Sequence, residues 1–190
     1  MRIGVLALQG AFLEHEKMLG KLRCPCFEIR QKRDLEGPMD GLILPGGEST
    51  AMKKLLRDLD LFDVLNQKIA SGLPVFGTCA GLLLLAESVD HGGTPCFGRM
   101  HVAAVRNAYG RQLGSFSART DFAGIGEIEA VFIRAPYIAS VSGKARCLAV
   151  VEGKIVAARE DAMLVTAFHP ELTDDLSVHR YFLETCVGKR

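Results

Sequence analysis

Apolar positions along the chain fall into two recurring patterns. One is the continuous run. Ile3 to Leu8, Gly41 to Leu44, Pro74 to Phe76 and Leu164 to Phe168 show no polar alternation. A strand without alternation is buried on both faces, as in a parallel sheet. The other pattern is helical spacing. Phe12, His15, Glu16, Leu19 and Leu22 follow the first run, and Leu55, Leu56 and Leu59 follow the second. A further helix over about Phe62–Ala70 ends at Ser71-Gly72, Leu82 to Val89 reads as a buried helix, and Leu176 to Val187 closes the chain. Phe27 to Arg30 supplies one more strand. Strands alternating with helices through short turns predict an α/β doubly wound fold.

The pattern loosens from about His91 to Ala130, where glycines and polar residues interrupt short runs such as His101 to Val105. This stretch reads as antiparallel hairpins and loops. Val131 to Ile133 is a short strand, and Ala145 to Val151 and Lys154 to Arg159 flank Glu152-Gly153, a hairpin signal. No repeat, linker or low-complexity segment divides the chain, so residues 1–190 are read as a single domain, a size that one core can serve.

Composition narrows the function classes. Lys plus Arg is 23 against 22 for Asp plus Glu, so no basic excess marks a nucleic-acid binder. No run approaches the ~20 apolar residues of a membrane span. The N-terminal run has one positive charge and no small-residue cleavage site, so it reads as a strand and not as a signal. Six cysteines without a secretory context point to free thiols and the reducing cytoplasm.

One of those thiols sits in a reactive setting. Gly77-Thr78-Cys79-Ala80-Gly81 joins a buried strand to an apolar helix, the context of a nucleophile elbow. Glycines two before and two after the cysteine allow a sharp turn in which a Cβ would clash. Cys79 at a helix start gains from the helix dipole, which favours the thiolate. The amide of Ala80 then points the same way, as an oxyanion donor. The pentapeptide alone fits a buried cysteine in a glycine-rich turn equally well. Cys24-Pro25-Cys26 has no second ligand pair at zinc spacing, and Cys96, Cys147 and Cys186 read as small hydrophobes.

A thiolate nucleophile needs a base, and the base needs a partner that fixes its tautomer. His169 and Glu171 follow the strand Leu164 to Phe168, at the strand end where doubly wound folds place their sites. If Pro170 keeps the segment extended, the two side chains share a side. His-Pro-Glu alone also suits a strand-terminating turn with a solvated carboxylate. The remaining histidines, His15, His91, His101 and His179, have no such setting, and His15 is placed on a helix surface.

Pro45-Gly46-Gly47-Glu48-Ser49 ends another strand. Glycines there let backbone approach a ligand, with the Gly47 amide as a second oxyanion donor, and Ser49-Thr50 would cap the helix that follows. A tight turn before a capped helix explains the same residues. A phosphate-binding reading lacks its lysine. Arg106, Arg111 and Arg134 suit a bidentate grip on a carboxylate or a surface ion pair.

Pro45-Gly46-Gly47-Glu48-Ser49-Thr50, Gly77-Thr78-Cys79-Ala80-Gly81 and His169-Pro170-Glu171 together resemble the class I, triad-type glutamine amidotransferases. Leu8-Gln9-Gly10, Arg106-Asn107 with Gly110-Arg111-Gln112, Phe132 to Pro136 and Phe168 to Thr173 narrow the resemblance to the glutaminase subunits of pyridoxal 5′-phosphate synthases. The resemblance runs from about Ile3 to the last helix and is weakest over Lys21 to Arg33 and Gly114 to Glu129. It implies a flavodoxin-like three-layer sandwich, a mostly parallel mixed sheet with helices on both faces. It implies that Cys79, His169 and Glu171 hydrolyse L-glutamine through a thioester. Gly47 and Ala80 would form the oxyanion hole. Gly47, Glu48, Ser49, Arg106, Ile133 and Arg134 would line the glutamine site. It implies neither metal nor cofactor. Ammonia would pass to a synthase subunit that combines it with a pentose phosphate and a triose phosphate. The implied assembly is a ring of roughly twelve of each subunit.

Three other classes keep part of this pattern. Proteins like the Parkinson-linked chaperone/deglycase carry a cysteine elbow, but with histidine where this chain has Ala80, and without His-Pro-Glu. Glutamyl-peptide hydrolases share the triad and need a more open site. A regulatory subunit would keep a dead triad, whereas Cys79, His169 and Glu171 are all in place.

Overall fold

The computed structural model describes residues 1–90, 95–106 and 114–188. Four of its strands are the continuous apolar runs: β1 (Ile3–Leu6), β3 (Gly41–Leu44), β4 (Val75–Thr78) and β12 (Met163–Thr166). With β2 (Cys26–Ile29) they pair in parallel in the order β2-β1-β3-β4-β12. That is the flavodoxin-like order, in which the chain leaves β1 to one side and returns on the other.

Beyond β12 the sheet turns antiparallel. β11 (Lys154–Glu160) pairs with β12, with β10 (Arg146–Val151) and with β9 (Tyr137–Val141), and β9 pairs with β6 (Met100–Val105). β5 (Ala86–Val89) closes that edge in parallel with β6. β7 (Ser115–Phe122) and β8 (Gly126–Ile133) form a separate antiparallel pair.

Helices cover both faces. Phe76 of β4 meets His15 of α1 (Phe12–Lys21), His179 of α5 (Ser177–Tyr181) and Phe182, which opens a π-helical stretch. The adjacent Gly77 faces the opposite way, since strand side chains alternate. There a Cβ would lie 2.7 Å from the carbonyl of Gly81 in α4 (Ala80–Leu85). These two neighbours therefore define three layers. α2 (Ser49–Asp58) packs against α4, and α3 (Phe62–Ala70) follows α2.

Three local expectations need correction. Leu82 to Val89 is not one helix. Ala86 adopts extended angles (φ −56°, ψ 135°), so α4 stops at Leu85 and β5 begins. The cap of α2 is Glu48 rather than Ser49 or Thr50. Its carboxylate accepts from the Thr50 amide at 3.1 Å and the Ala51 amide at 2.7 Å. The C-terminal helix changes pitch at Phe182, where α5 gives way to the π-helical turns.

Candidate active site

Four loops leave the carboxyl ends of β1, β3, β4 and β12 at one edge of the sheet. Together they enclose a cleft of about 550 Å³. Parallel register aligns two of them. Thr78 pairs with Thr166, and the Cys79 amide donates to the Thr166 carbonyl at 2.8 Å. Cys79 therefore lies one residue beyond β4, and His169 three beyond β12, on the same side.

The elbow is sharp and strained. Cys79 holds φ 47°, ψ −96°, a left-handed conformation that costs a non-glycine residue about 1–3 kcal/mol. The turn closes because Gly77 and Gly81 lack side chains. A Cβ on Gly81 would lie 2.1 Å from the Leu44 carbonyl oxygen at the end of β3. Cys79 is buried yet lines the cleft, and Ala80 opens α4 beside it. The first amides of a helix have no partner within it, so the Ala80 amide is free of intrahelical bonding.

His169 and Glu171 meet differently from the sequence expectation. Pro170 does not hold an extended segment. Pro170–Leu172 is a 3₁₀ turn with His169 at its start, and the Leu172 amide donates to the His169 carbonyl at 3.2 Å. The turn folds the Glu171 carboxylate back beneath the imidazole, where Oε1 lies 2.7 Å from His169 Nδ1. Burial lowers the His169 pKa, but hydrogen bonds to Cys79 and Glu171 and their charges outweigh it and push it up to about 10. Burial opposes ionisation of Glu171 as well. His15, His169 and the hydrogen bond together still hold its carboxyl below the ordinary value. The imidazole thus stands between a carboxylate and the Cys79 sulfur, the order in which a base serves a nucleophile.

The cleft wall carries the polar groups. Gly47, Glu48 and Ser49 follow β3, Arg106 follows β6, Ile133 ends β8 and Arg134 follows it; all line the cleft with Cys79, Ala80 and His169. Burial works against the Glu48 charge, but the Ala51 and Thr50 amides and the Arg106 guanidinium outweigh it and keep the carboxyl below its usual range. Arg134 holds φ 43°, and its amide donates to the Gly114 carbonyl at 3.1 Å, which anchors this second strained residue at the rim. Asn107, Gly110, Arg111 and Gln112 lie outside the described residues. Away from the cleft, burial pushes the thiols of Cys24, Cys26 and Cys147 up and that of Cys96 to about 11, so these are poor thiolates.

The sequence reading missed His15 and His179. His15 is not on a surface: both rings are fully buried, with His15 Nε2 3.6 Å from Glu171 Oε2 and His179 against His15. The signal was present in the spacing. Phe12, Met18 and Leu19 put His15 on the apolar stripe of its helix, where a histidine must find a buried partner.

Known proteins resemble this chain over nearly its whole length. A curated protein of Methanocorpusculum labreanum, named pyridoxal 5′-phosphate synthase subunit PdxT, is 60% identical over 188 residues, covering 99% of both chains. A protein of the same name from Haemophilus influenzae is 53% identical over 98% of both. A crystal structure of a glutamine amidotransferase superposes with a TM-score of 0.90 at 41% identity, covering 96% of this chain and 97% of that one. The model of the SNO glutamine amidotransferase family matches residues 5–188. With its cysteine elbow, its His-Pro-Glu turn and this match over nearly its whole length, the chain belongs to the SNO glutamine amidotransferase family.

Proposed function

We propose that this chain hydrolyses L-glutamine and delivers the ammonia to the synthase subunit of pyridoxal 5′-phosphate synthase. The observation that carries the reading is the line Cys79–His169–Glu171 at the floor of a cleft walled by two arginines and a carboxylate.

Arg106 and Arg134 suit the substrate α-carboxylate, and Glu48 its ammonium. The Cys79 thiolate attacks the side-chain amide carbon. The oxyanion that forms is held by the amides of Gly47 and Ala80. His169 gives its proton to the amide nitrogen, the C–N bond breaks, and ammonia leaves a thioester. Water then gives a proton to His169 and attacks the thioester carbon. The C–S bond breaks, which frees glutamate and restores the thiolate. Glu171 fixes the imidazole and stabilises its cation throughout.

Released into water, ammonia is protonated and lost as a nucleophile, so a partner must take it directly. Ile133 and Leu172, each 41% exposed at the cleft rim, are apolar surface suited to that docking. The complex is read as a ring of roughly twelve of each subunit. Residues 1–190 act in it as one domain, in the cytoplasm. The Gly46 carbonyl accepts from the Ala11 amide at 3.0 Å, so the turn after β1 sets the plane of the Gly46–Gly47 peptide. Docking that moves this turn reorients the Gly47 amide and raises turnover.

Ammonia release from glutamine, measured with and without the synthase subunit, tests both parts. Turnover is expected to rise with the partner and to vanish in Cys79→Ala. Normal turnover in that variant removes the mechanism, and equal activity with and without partner removes the docking switch.

A further inference from the structure

Behind the triad lies a polar cluster that the mechanism above does not use. His15 of α1 and His179 of α5 are fully buried, with Nδ1 of His15 2.9 Å from Nε2 of His179. The other nitrogen of His15, Nε2, is 3.1 Å from Thr78 Oγ1, on the residue before the nucleophile, and 3.6 Å from Glu171 Oε2. Oε1 of the same carboxylate faces His169, while Oε2 has no hydrogen bond among the described residues, and neither has His179 Nδ1. A buried carboxylate oxygen without a bond is a high-stakes feature, because removal from water makes every nearby dipole count.

The hydrogen-bond network assigns the tautomers. If His15 donated from Nδ1, its bare Nε2 would face the lone pairs of Glu171 Oε2. The His179 proton would then sit on Nδ1, as a buried donor with no acceptor. If His179 donates from Nε2 to His15 Nδ1, the His15 proton sits on Nε2, between Thr78 Oγ1 and Glu171 Oε2. His179 Nδ1 is then a bare ring nitrogen that accepts rather than a bare donor, and that is the cheaper group to leave unpaired. Burial keeps both rings neutral. It pulls His179 well below its usual range, and it pulls His15 down against the opposing charge of Glu171. The charged groups acting on His15 are Glu171 and His169 at the site and Glu14 on its own helix.

We infer that His15 is a positioning residue of the catalytic site, oriented by His179, whose Nε2–H seats the second oxygen of Glu171 and ties it to the base of the cysteine elbow. The inference rests on the reading of Cys79, His169 and Glu171 as the triad. His15 moves no proton. Its N–H dipole fixes the rotation of the carboxylate and favours its ionised form, and the ionised carboxylate keeps His169 protonated.

A pair of isosteric variants separates positioning from packing. In His15→Asn an amide group replaces Nδ1, which keeps the contact with His179 and removes the group facing Glu171. In His15→Gln an amide group reaches the place of Nε2 and restores it. Both are assayed in complex with the synthase subunit, together with Cys79→Ala, for kcat, KM, the pH profile of kcat/KM and melting temperature. His15→Asn is expected to lower kcat at least about 10-fold with KM within about twofold, since small displacements of a reacting group are costly. The alkaline limb of its profile should move to lower pH as His169 loses support. His15→Gln should regain most of both, at a melting temperature equal to or below that of the asparagine variant. Equal kcat and equal limbs in the two variants, or rescue that only follows melting temperature, would overturn the inference. Full turnover in Cys79→Ala instead overturns the triad reading beneath it.

Discussion

Gly46→Ala isolates the geometry of His169, the proposed catalytic histidine. Gly46 has no positive φ, so alanine fits its backbone, and what the methyl meets decides the outcome. A Cβ there would lie 2.2 Å from His169 Cε1 and 2.8 Å from Nδ1. Ordinary van der Waals contact begins at 3.4 Å, so the ring must retreat by about 1.2 Å. That retreat breaks the 2.7 Å bond to Glu171 or turns Nε2 away from Cys79. A misplacement of about 1 Å at a reacting group costs on the order of 100-fold in rate, or about 2.7 kcal/mol of barrier. Overpacking adds about 1–3 kcal/mol of lost stability. The assay is ammonia release in the presence of the synthase subunit, with thermal melting on the same samples. Turnover about 100-fold down in protein that is still folded at the assay temperature is expected. Gly20→Ala is the matched control: nothing lies within 4 Å of its added Cβ, and a helix position gains about 0.5–1 kcal/mol from alanine with kcat unchanged. A Gly46→Ala enzyme within about threefold of wild type would refute the steric argument, because so small a loss leaves no room for a displaced imidazole.

The alkaline limb of kcat/KM should lie near pH 10, where His169 loses its proton, and Glu171→Gln should move it down. The same proton contributes stability that is complete below about pH 6.5 and lost as the pH rises through about 10. Glu48→Ala should cost about 1 kcal/mol in denaturant melts through loss of the α2 cap, and should raise KM for glutamine. Glu48→Gln should keep much of the cap and show the KM effect. His101 Nδ1 lies 2.5 Å from the buried carboxylate of Glu160, and that contact raises the His101 pKa. Its stabilisation is therefore complete below about pH 6.5 and fades as the pH rises through the raised value. The melting-temperature gap between wild type and His101→Ala should shrink from pH 6 to pH 9 by that reasoning.

The parallel half of the sheet was legible because β1, β3, β4 and β12 are buried on both faces, which leaves apolar runs without alternation that stop at, or one residue before, a glycine or proline. The edge strand Ala86–Val89 was not. Its burial runs buried, exposed, exposed, buried, and the pairing with β6 shifts register between Ala86 and Ser88. A bulge breaks the alternation of two, so the segment read as a continuation of Leu82 to Leu85. Of the β7–β8 pair only Val131 to Ile133, the end of β8, was read as a strand, and the rest as hairpins and loops. Ser115–Phe122 does alternate, but with small and charged residues that give weak contrast. His15 and His179 were lost for another reason. A titratable side chain was taken as a sign of a surface, whereas its place on an apolar stripe was the better guide.

The glycines of the site have more to do than turn the chain. At Gly10 (φ 89°) a Cβ would lie 1.9 Å from the Gly46 carbonyl, at Gly46 it would enter the His169 ring, and at Gly81 it would strike the Leu44 carbonyl. Each absent side chain marks a place where one catalytic loop rests on the backbone or ring of the next. The loops after β1, β3, β4 and β12 therefore nest through bare backbone, and between the first two the Ala11 amide donates to the Gly46 carbonyl at 3.0 Å and the Gln9 side chain to the Glu48 carbonyl at 2.9 Å. This also explains why the glycine pattern and the catalytic residues were readable together while the histidine pair was not. Close approach of backbones demands glycine and leaves a trace in sequence at fixed spacing from the nucleophile. The support behind Glu171 comes from side chains on two helices 164 residues apart, which only the packed sheet brings within 2.9 Å.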